Sequence, residues 1–277
     1  MKANKKRKYL VAVISLHKPD SAHPAEISAA VFRGHELTLK HRRLGSGIAA
    51  LDAIIDGGLV RGRVSEIVGH LGSGRTTVAA RFVSAATRAG EVVAWIENSH
   101  SFDPADIAAG CANMDRVLWA SVDEHRKHAF DSSGRFRRYR FSSVFKAAEM
   151  VLKAGGFGLV VIDIGANSSP LPQSIALRLA REAERSGAAV IVIAPWRICG
   201  TFAALSLQLT RIEAAFTRLT PASPALFDGF VIQAATVRNK LGRTGGSAIL
   251  CGAIDPLAPS FAEEHRLEIP GLNASNA

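Results

Sequence analysis

The sequence predicts an α/β fold in which helices flank a mostly parallel central sheet. From Leu44 onward, short apolar runs alternate with amphipathic stretches, the pattern of a parallel sheet covered by helices. A glycine-rich segment, Gly69–Thr77, lies between one such run and one such stretch. The chain of 277 residues has 48% hydrophobic and 21% charged residues, which argues against extended disorder and against collagen-like or coiled-coil architectures.

Each predicted element follows from its local pattern. The predicted strands are nearly all apolar and several are β-branched, as expected of strands buried on both faces. The last two strands are joined by a glycine-rich turn, Gly242–Gly246, and the helices show one apolar face. The predicted strands are Val64–Val68, Val92–Ile96, Val117–Ser121, Leu159–Ile164, Val190–Ala194, Phe230–Val237 and Ser247–Cys251; the predicted helices are Thr76–Ala89, Val144–Lys153 and Gln173–Ser186.

Charge and composition predict three regions: a small basic N-terminal appendage over 1–43, a core over 44–255 and a C-terminal tail over 256–277. With 34 Lys and Arg against 24 Asp and Glu, the net charge is +10. That excess favours a polyanionic partner, either nucleic acid or an acidic membrane surface. The charged start and the apolar run after it imitate a secretory signal, but the run is short and lacks a clear cleavage site. We therefore predict a cytoplasmic protein that no membrane segment anchors.

The three cysteines lie far apart and form no C-x-x-C pair. This spacing gives little support to a zinc ribbon or a disulfide framework. Each cysteine is predicted to pack as a small apolar group.

The segment Gly69–Thr77 has the features of a phosphate-binding loop, because it follows a predicted strand and opens a predicted helix. Glycines let successive backbone N–H groups point at phosphate oxygens, and the helix N-terminus adds partial positive charge. Arg75 stands where the pattern G-x-x-x-x-G-K-[ST] has Lys, and it keeps the charge in a bulkier planar group. The alternative is a turn that only joins strand to helix. The predicted nucleotide-binding residues are Gly69, Gly72, Ser73, Gly74, Arg75, Thr76 and Thr77.

The apolar run from Gly158 ends in an acid, Asp163, near the end of the strand predicted over Leu159–Ile164. In phosphate-loop proteins such an aspartate steadies Mg²⁺, often through water, while the loop hydroxyl coordinates it. Thr76 and Asp163 are therefore the predicted magnesium residues, and ATP with Mg²⁺ the predicted cofactors.

Several blocks in order resemble the RecA-like recombinase family. They are Ser46–Asp52 with Gly57–Gly69, leading into the phosphate loop; His100–Pro104, similar to the family's H-x-x-D-P element; and Val237–Lys240, similar to its late K-N-K strand. The resemblance implies a RecA-like P-loop NTPase core that binds ATP and DNA. It also implies a homo-oligomer in which Arg238 and Lys240 reach the nucleotide of a neighbouring subunit.

The departures from this family concern catalysis and DNA binding. The family places its catalytic glutamate where this chain has Ser99, and Glu97 is the candidate replacement although its tip lies about 6–7 Å away along a strand. The polar sensor residue is replaced within Ile193–Arg197, and the two DNA-binding loops look short. The chain therefore looks like a diverged paralogue, similar to the RecA-like accessory proteins of mutagenic translesion-synthesis cassettes (ImuA-like).

A basic and aromatic run, Arg135–Phe141, is the candidate nucleic-acid site. Its cations can neutralise phosphates while an aromatic ring stacks on an unpaired base. The alternative is a surface ribbon with solvated arginines. The predicted contacts are Arg135, Arg137, Arg138, Tyr139 and Arg140, and Lys2–Lys8 is either a further phosphate contact or a solubilising tail.

The sequence thus predicts a RecA-like ATP-binding protein of DNA repair or recombination, within the SOS response. It would bind DNA, most readily single-stranded, with weak or absent DNA-dependent ATP hydrolysis. The alternative is a non-hydrolysing adaptor for a RecA-type recombinase or a translesion polymerase. A third possibility is a regulatory ATPase that shares the same loop and sheet.

Overall fold

A computed structural model describes residues 10–12, 31–33, 41–98, 102–110, 112–122, 142–166, 170–218 and 224–253. The chain divides into two compact units, Met1–His41 and Arg42–Ala277. In the first unit, β1 (Leu10–Ala12) pairs antiparallel with β2 (Val31–Arg33). The predicted region boundaries stay predictions, and the tail over 256–277 lies outside the described residues.

The second unit is built on an eight-stranded sheet in the order β12-β11-β10-β5-β9-β8-β6-β7. The strands from β5 to β10 are joined by parallel pairs, while β11 pairs antiparallel with β10 and β12 antiparallel with β11. A separate short pair is formed by β3 and β4. The strands are β3 (Arg43–Leu44), β4 (Leu59–Val60), β5 (Val64–Val68), β6 (Val92–Glu97), β7 (Val117–Ser121), β8 (Phe157–Asp163), β9 (Ala189–Ala194), β10 (Ala203–Thr217), β11 (Leu226–Asn239) and β12 (Ser247–Ala253).

Helices cover both faces of this sheet. In β8, Leu159 and Val161 belong to one buried cluster with the helix Arg75–Arg88, whereas Val160 and Ile162 belong to a second cluster with the helices Ser142–Ala154 and Gln173–Ser186. A strand buried on both faces needs apolar residues at successive positions, and the predicted mostly parallel α/β sheet is confirmed. The helices are α1 (Ala49–Ile54), α2 (Arg75–Arg88), α3 (Pro104–Ala109), α4 (Ser142–Ala154) and α5 (Gln173–Ser186), with single 3₁₀ turns at Met114–Arg116 and Gly200–Phe202.

The long strand β10 is absent from the sequence prediction. Its first half alternates buried Leu205, Leu207 and Leu209 with polar residues, a period-two pattern typical of a strand. The signal is present in the sequence, but no glycine or proline separates it from the mixed residues that follow. The neighbouring strand β11 also begins earlier than predicted, at Leu226 rather than Phe230.

Among the described residues, no helix has both the length and the apolar character needed to cross a membrane.

Candidate nucleotide-binding site

The carboxyl ends of the central parallel strands meet at one edge of the sheet. Val68 at the end of β5 pairs with Ala194 of β9, and Glu97 at the end of β6 pairs with Asp163 of β8. Ligands of open α/β sheets bind at this edge. The sheet therefore brings the phosphate loop, Glu97 and Asp163 to the same side of the protein.

The glycines of the loop are needed because β10 and β11 lie against it. A Cβ on Gly69 would collide with the carbonyl oxygen of Leu209 and with Ser73 Oγ. Gly74 has φ +83°, and a Cβ there would lie 2.8 Å from Ile232 Cδ1. L-residues with side chains rarely adopt this φ, so glycine at these positions permits both the curl of the loop and its close packing.

The loop ends at an open helix N-terminus. Gly74 is the N-cap of α2 and provides no side-chain cap. The first N–H groups of a helix have no acceptor within it, so the amides of Arg75, Thr76 and Thr77 are available to a ligand. The positive end of the helix dipole favours an anionic ligand there.

Two buried polar atoms of the loop lack a partner among the residues that the structure describes. They are Ser73 Oγ and Arg75 Nη1, in side chains that belong to residues only 3% and 7% exposed. Burial lowers the pKa of the Arg75 guanidinium, and the negative charge of Asp163 partly offsets that effect. A buried donor without an acceptor costs about 1–3 kcal/mol. A phosphate group would supply the missing acceptors, so the residues present fit the triphosphate of ATP.

Thr76 and Asp163 supply the oxygen atoms that Mg²⁺ prefers. Asp163 is 2% exposed, and its Oδ1 accepts a hydrogen bond of 2.9 Å from the amide of Gly165. The half-buried Thr76 follows Arg75 in the first turn of α2. No group of three or more His, Cys, Asp or Glu side chains suited to a metal is found within the described part of the chain. A magnesium ion at this site would therefore also need oxygens from the phosphates and from water.

The Glu97 carboxylate is fully buried and bonded through both oxygens. Its Oε2 accepts from the amide of Phe102 at 3.0 Å, and its Oε1 accepts from Trp119 Nε1 at 3.0 Å. The rings of Phe102 and Trp119 stack with centroids 5.2 Å apart. This carboxylate thus fixes the segment after β6 against β7, whereas a general base must reach the attacking water. The catalytic role of Glu97 stays a prediction, and this geometry argues against it.

Arg238 and Lys240 lie away from the phosphate loop of their own chain. Arg238 pairs with Ser206 of β10, and the Lys240 amide bonds Ala204 O, both near the start of that strand. The loop instead lies against Leu209. Their side chains donate to the carbonyl oxygens of Gly200 and Thr201. Contact with a nucleotide would require a neighbouring chain, and that role stays a prediction.

The predicted nucleic-acid contacts fall outside the described residues. These are Arg135, Arg137, Arg138, Tyr139 and Arg140, together with Lys2–Lys8. Ser99 and His100, at the position of the family's glutamate and H-x-x-D-P element, also lie outside the described residues. Their roles stay predictions.

Glu66 is an important side chain that the sequence prediction did not assign. It is fully buried at the centre of β5. Its Oε1 accepts from the amides of Ile198 and Cys199 at 2.7 and 2.6 Å, and its Oε2 accepts from Ser206 Oγ at 2.9 Å. Burial, together with Glu66, raises the pKa of the Cys199 thiol. The available signal was an acid at the centre of the short predicted strand Val64–Val68.

A cleft of about 600 Å³ opens beside the phosphate loop. The loop forms one wall, Pro195–Arg197 after β9 forms another, and Gln208–Arg211 of β10 forms a third. Trp196 is 51% exposed there. The cleft gives a ligand bound at the loop room to extend along the sheet edge.

Comparison with known proteins finds sequence similarity over the part of the chain that contains the phosphate loop. A family model for the RecA N-terminal domain matches residues 28–135. Protein RecA of Picosynechococcus sp. is 30% identical over 130 residues, and Protein RecA of Nocardioides sp. is 34% identical over 131 residues. Each match covers 47% of this chain and 33% of the relative, so the alignment spans about a third of each relative's length.

The fold has a counterpart among solved structures. The crystal structure of the RadB recombinase superposes with a TM-score of 0.52 at 17% identity, covering 74% of this chain and 94% of that one. This likeness supports the fold, and the sequence matches support the phosphate-loop half of the core. The fold is therefore that of a RecA-like core, and the phosphate-loop half of the chain is similar in sequence to RecA proteins.

Proposed function

We propose that this protein binds Mg-ATP at the phosphate loop and acts in DNA repair or recombination, with weak or absent ATP hydrolysis. The observation that carries the proposal is the buried Arg75 Nη1 at the N-terminus of α2, which has no hydrogen-bond partner among the described residues. A guanidinium retains its charge at neutral pH. The free-energy cost of burying it without an acceptor is offset when a phosphate binds.

The proposed roles follow from the positions of the side chains. Backbone amides at the start of α2 and Ser73 Oγ hold phosphate oxygens, and Arg75 neutralises their charge. Thr76 and Asp163 hold Mg²⁺, which when bound neutralises part of the phosphate charge. The negative charge of Asp163 also stabilises the protonated form of the buried Arg75 side chain.

The hydrogen bonds of the candidate base, Glu97, support weak or absent hydrolysis. Both oxygens of Glu97 already accept hydrogen bonds from Phe102 and Trp119. The same observation favours the second candidate function, an adaptor that binds nucleotide without turnover and contacts a RecA-type recombinase or a translesion polymerase. An ImuA-like role in the SOS response belongs to this second candidate.

DNA binding, self-assembly and a cytoplasmic location complete the proposal. The net charge of +10 supports contact with a polyanion, and single-stranded DNA is the proposed form. In an assembly, Arg238 and Lys240 would approach the nucleotide of the next subunit. The sequence relatives are RecA proteins, which supports placing this chain beside DNA in the cytoplasm.

The test is a titration with Mg-ATP, monitored by thermal unfolding and calorimetry. The wild type is expected to bind, and ligand at about 100 times its dissociation constant raises the free energy of unfolding by about 2.7 kcal/mol. Arg75→Ala is expected to weaken binding about 100-fold, because a buried charge-assisted contact is lost. No stabilisation of the wild type by Mg-ATP would refute the proposal.

Arg88→Ala is the matched control, since Arg88 is an exposed arginine in the last turn of the same helix. It should leave nucleotide affinity unchanged. Arg75→Lys retains a cation and should retain binding within about tenfold. Phosphate release with and without oligo(dT) then separates the two candidates, since DNA-stimulated turnover would exclude the non-hydrolysing adaptor.

A further inference from the structure

We propose that Arg211 of β10 is a second phosphate-binding cation, which makes the site prefer a nucleoside triphosphate over a diphosphate. This inference rests on the proposed function, because it assumes that the phosphate loop binds a nucleotide. It concerns a residue on a strand that the sequence prediction did not include.

The guanidinium of Arg211 lies directly over the phosphate loop. Its Nη1 is 3.4 Å from the position that a Cβ on Gly72 would occupy. Arg211 also lines the cleft that the loop residues Gly69 and Ser73 border. The guanidinium of Arg211 therefore lies close to the backbone of the loop, whose amides are proposed to bind the phosphates.

An aromatic ring holds Arg211 in this position. The guanidinium carbon lies 5.2 Å from the centroid of Phe230, and Phe230 packs on Phe227 with centroids 4.8 Å apart. A cation over an aromatic face is stabilised without using its hydrogen-bond donors. No carboxylate forms an ion pair with Arg211 within the described part of the chain, so these donors remain available to an anion.

The two arginines of the site differ in their surroundings. Arg75 is buried at the start of α2, whereas Arg211 is exposed at the solvent side of the loop. A triphosphate carries more negative charge than a diphosphate and extends further. The additional charge is therefore best matched by the additional cation, and a planar guanidinium can donate two parallel hydrogen bonds to one phosphate.

The experiment compares dissociation constants for Mg-ATP and Mg-ADP by calorimetry. In the wild type, Mg-ATP is expected to bind more tightly than Mg-ADP. Arg211→Ala should weaken Mg-ATP about tenfold, as expected for loss of one exposed charge-assisted contact, while changing Mg-ADP less than about twofold. Phe230→Leu keeps the cation but removes its support, and a smaller loss in the same direction is expected.

Arg185→Ala is the control for loss of a surface arginine, since its side chain is 58% exposed on α5. It should leave the ratio of the two constants unchanged. Urea unfolding of each variant separates a loss of affinity from a loss of fold.

Three results would overturn the inference. If Arg211→Ala keeps the wild-type ratio while Arg75→Ala weakens both nucleotides, the inference fails and the proposed function stands. If Arg211→Ala instead weakens only binding of a fluorescent oligo(dT), the residue contacts nucleic acid rather than nucleotide. If the wild type binds neither nucleotide, the proposed function fails and the inference fails with it.

Discussion

The phosphate loop and the buried carboxylates Glu66 and Glu97 differ in whether their buried polar atoms have hydrogen-bond partners. In the loop, Ser73 Oγ and Arg75 Nη1 are buried without a partner in the part of the chain that the structure describes. At Glu66 and Glu97, both oxygens of each buried carboxylate accept hydrogen bonds. Unpartnered buried groups are costly in proteins, and where they lie at the uncapped N-terminus of α2 they indicate a ligand site. The bonded carboxylates instead indicate structural roles.

The contrast is consistent with the proposed combination of nucleotide binding and weak or absent hydrolysis. A loop amide or guanidinium needs only a fixed position to bind phosphate. A general base needs an oxygen free to approach water, and Glu97 uses both oxygens to hold Phe102 and Trp119.

Glu66→Ala should produce the largest loss of stability. It leaves the amides of Ile198 and Cys199 and the hydroxyl of Ser206 without their acceptor, at a cost of about 4 kcal/mol in the free energy of unfolding. Glu66→Gln should cost only about 1 kcal/mol. Its carbonyl oxygen can accept from both amides, and Ser206 Oγ can rotate to accept from its NH₂ group. Urea unfolding measures both, and equal losses would contradict this account.

Glu97→Ala should cost about 3 kcal/mol, because two buried donors lose their acceptor. Here Glu97→Gln should cost nearly as much. The amide of Phe102 and the indole N–H of Trp119 bond different oxygens of the carboxylate, and neither donor can accept from the new NH₂ group. Nucleotide affinity should change less than about threefold. A variant that stays fully stable but loses ATP turnover would restore Glu97 as a catalytic residue.

The sequence was most informative where function depends on local geometry. The loop and its flanking elements were predicted because Gly69, Gly72 and Gly74 occupy fixed offsets between an apolar strand and an amphipathic helix. Asp163 was predicted from its place at a strand end. Both follow from short stretches of chain whose conformation is set by neighbouring residues.

The remainder depends on contacts between residues far apart in the chain. Glu97 bonds a tryptophan on the next strand, and Glu66 bonds groups 132 or more positions away. Arg211 meets the loop only because β10 pairs with β5. No local pattern gives the register of such pairs, so the sequence identified the loop and Asp163 but not these contacts between distant residues.

Gly74→Ala tests whether the backbone conformation of the phosphate loop is needed for nucleotide binding. It forces an L-residue to φ +83° and brings a Cβ within 2.8 Å of Ile232 Cδ1, so we expect a loss of about 2 kcal/mol in stability. Gly187→Ala is the matched control, because Gly187 has φ +73° with nothing within 4 Å of the added Cβ. It should cost about 1 kcal/mol. Only the Gly74 variant should lose Mg-ATP affinity. Equal Mg-ATP affinities of the two variants would contradict nucleotide binding at the phosphate loop.

The smallest expected effect on the free energy of unfolding is at Asp56, a carboxylate that is less buried than Glu66. Like Glu66 it accepts three hydrogen bonds, from Asn239 Nδ2 and from the Arg243 amide and Nε, but its ion-pair partner is 83% exposed. Burial raises the pKa of Asp56, but the hydrogen bonds and charge of Arg243 outweigh it and lower the pKa overall. A carboxylate with a lowered folded-state pKa stabilises the protein above its unfolded-state pKa, about 3.9, and loses that effect as the pH falls through the folded-state value.

Asp56→Asn should therefore lower the free energy of unfolding by less than about 1 kcal/mol at pH 7, since solvent weakens exposed ion pairs. The difference from wild type should vanish as the pH falls from about 4 through the lowered pKa. Arg243→Ala should remove a similar amount, and the double variant should lose little more than either change alone. Urea unfolding at a series of pH values measures all three. If Asp56→Asn cost as much as Glu66→Ala, the number of hydrogen bonds rather than burial would determine the stability that these carboxylates provide.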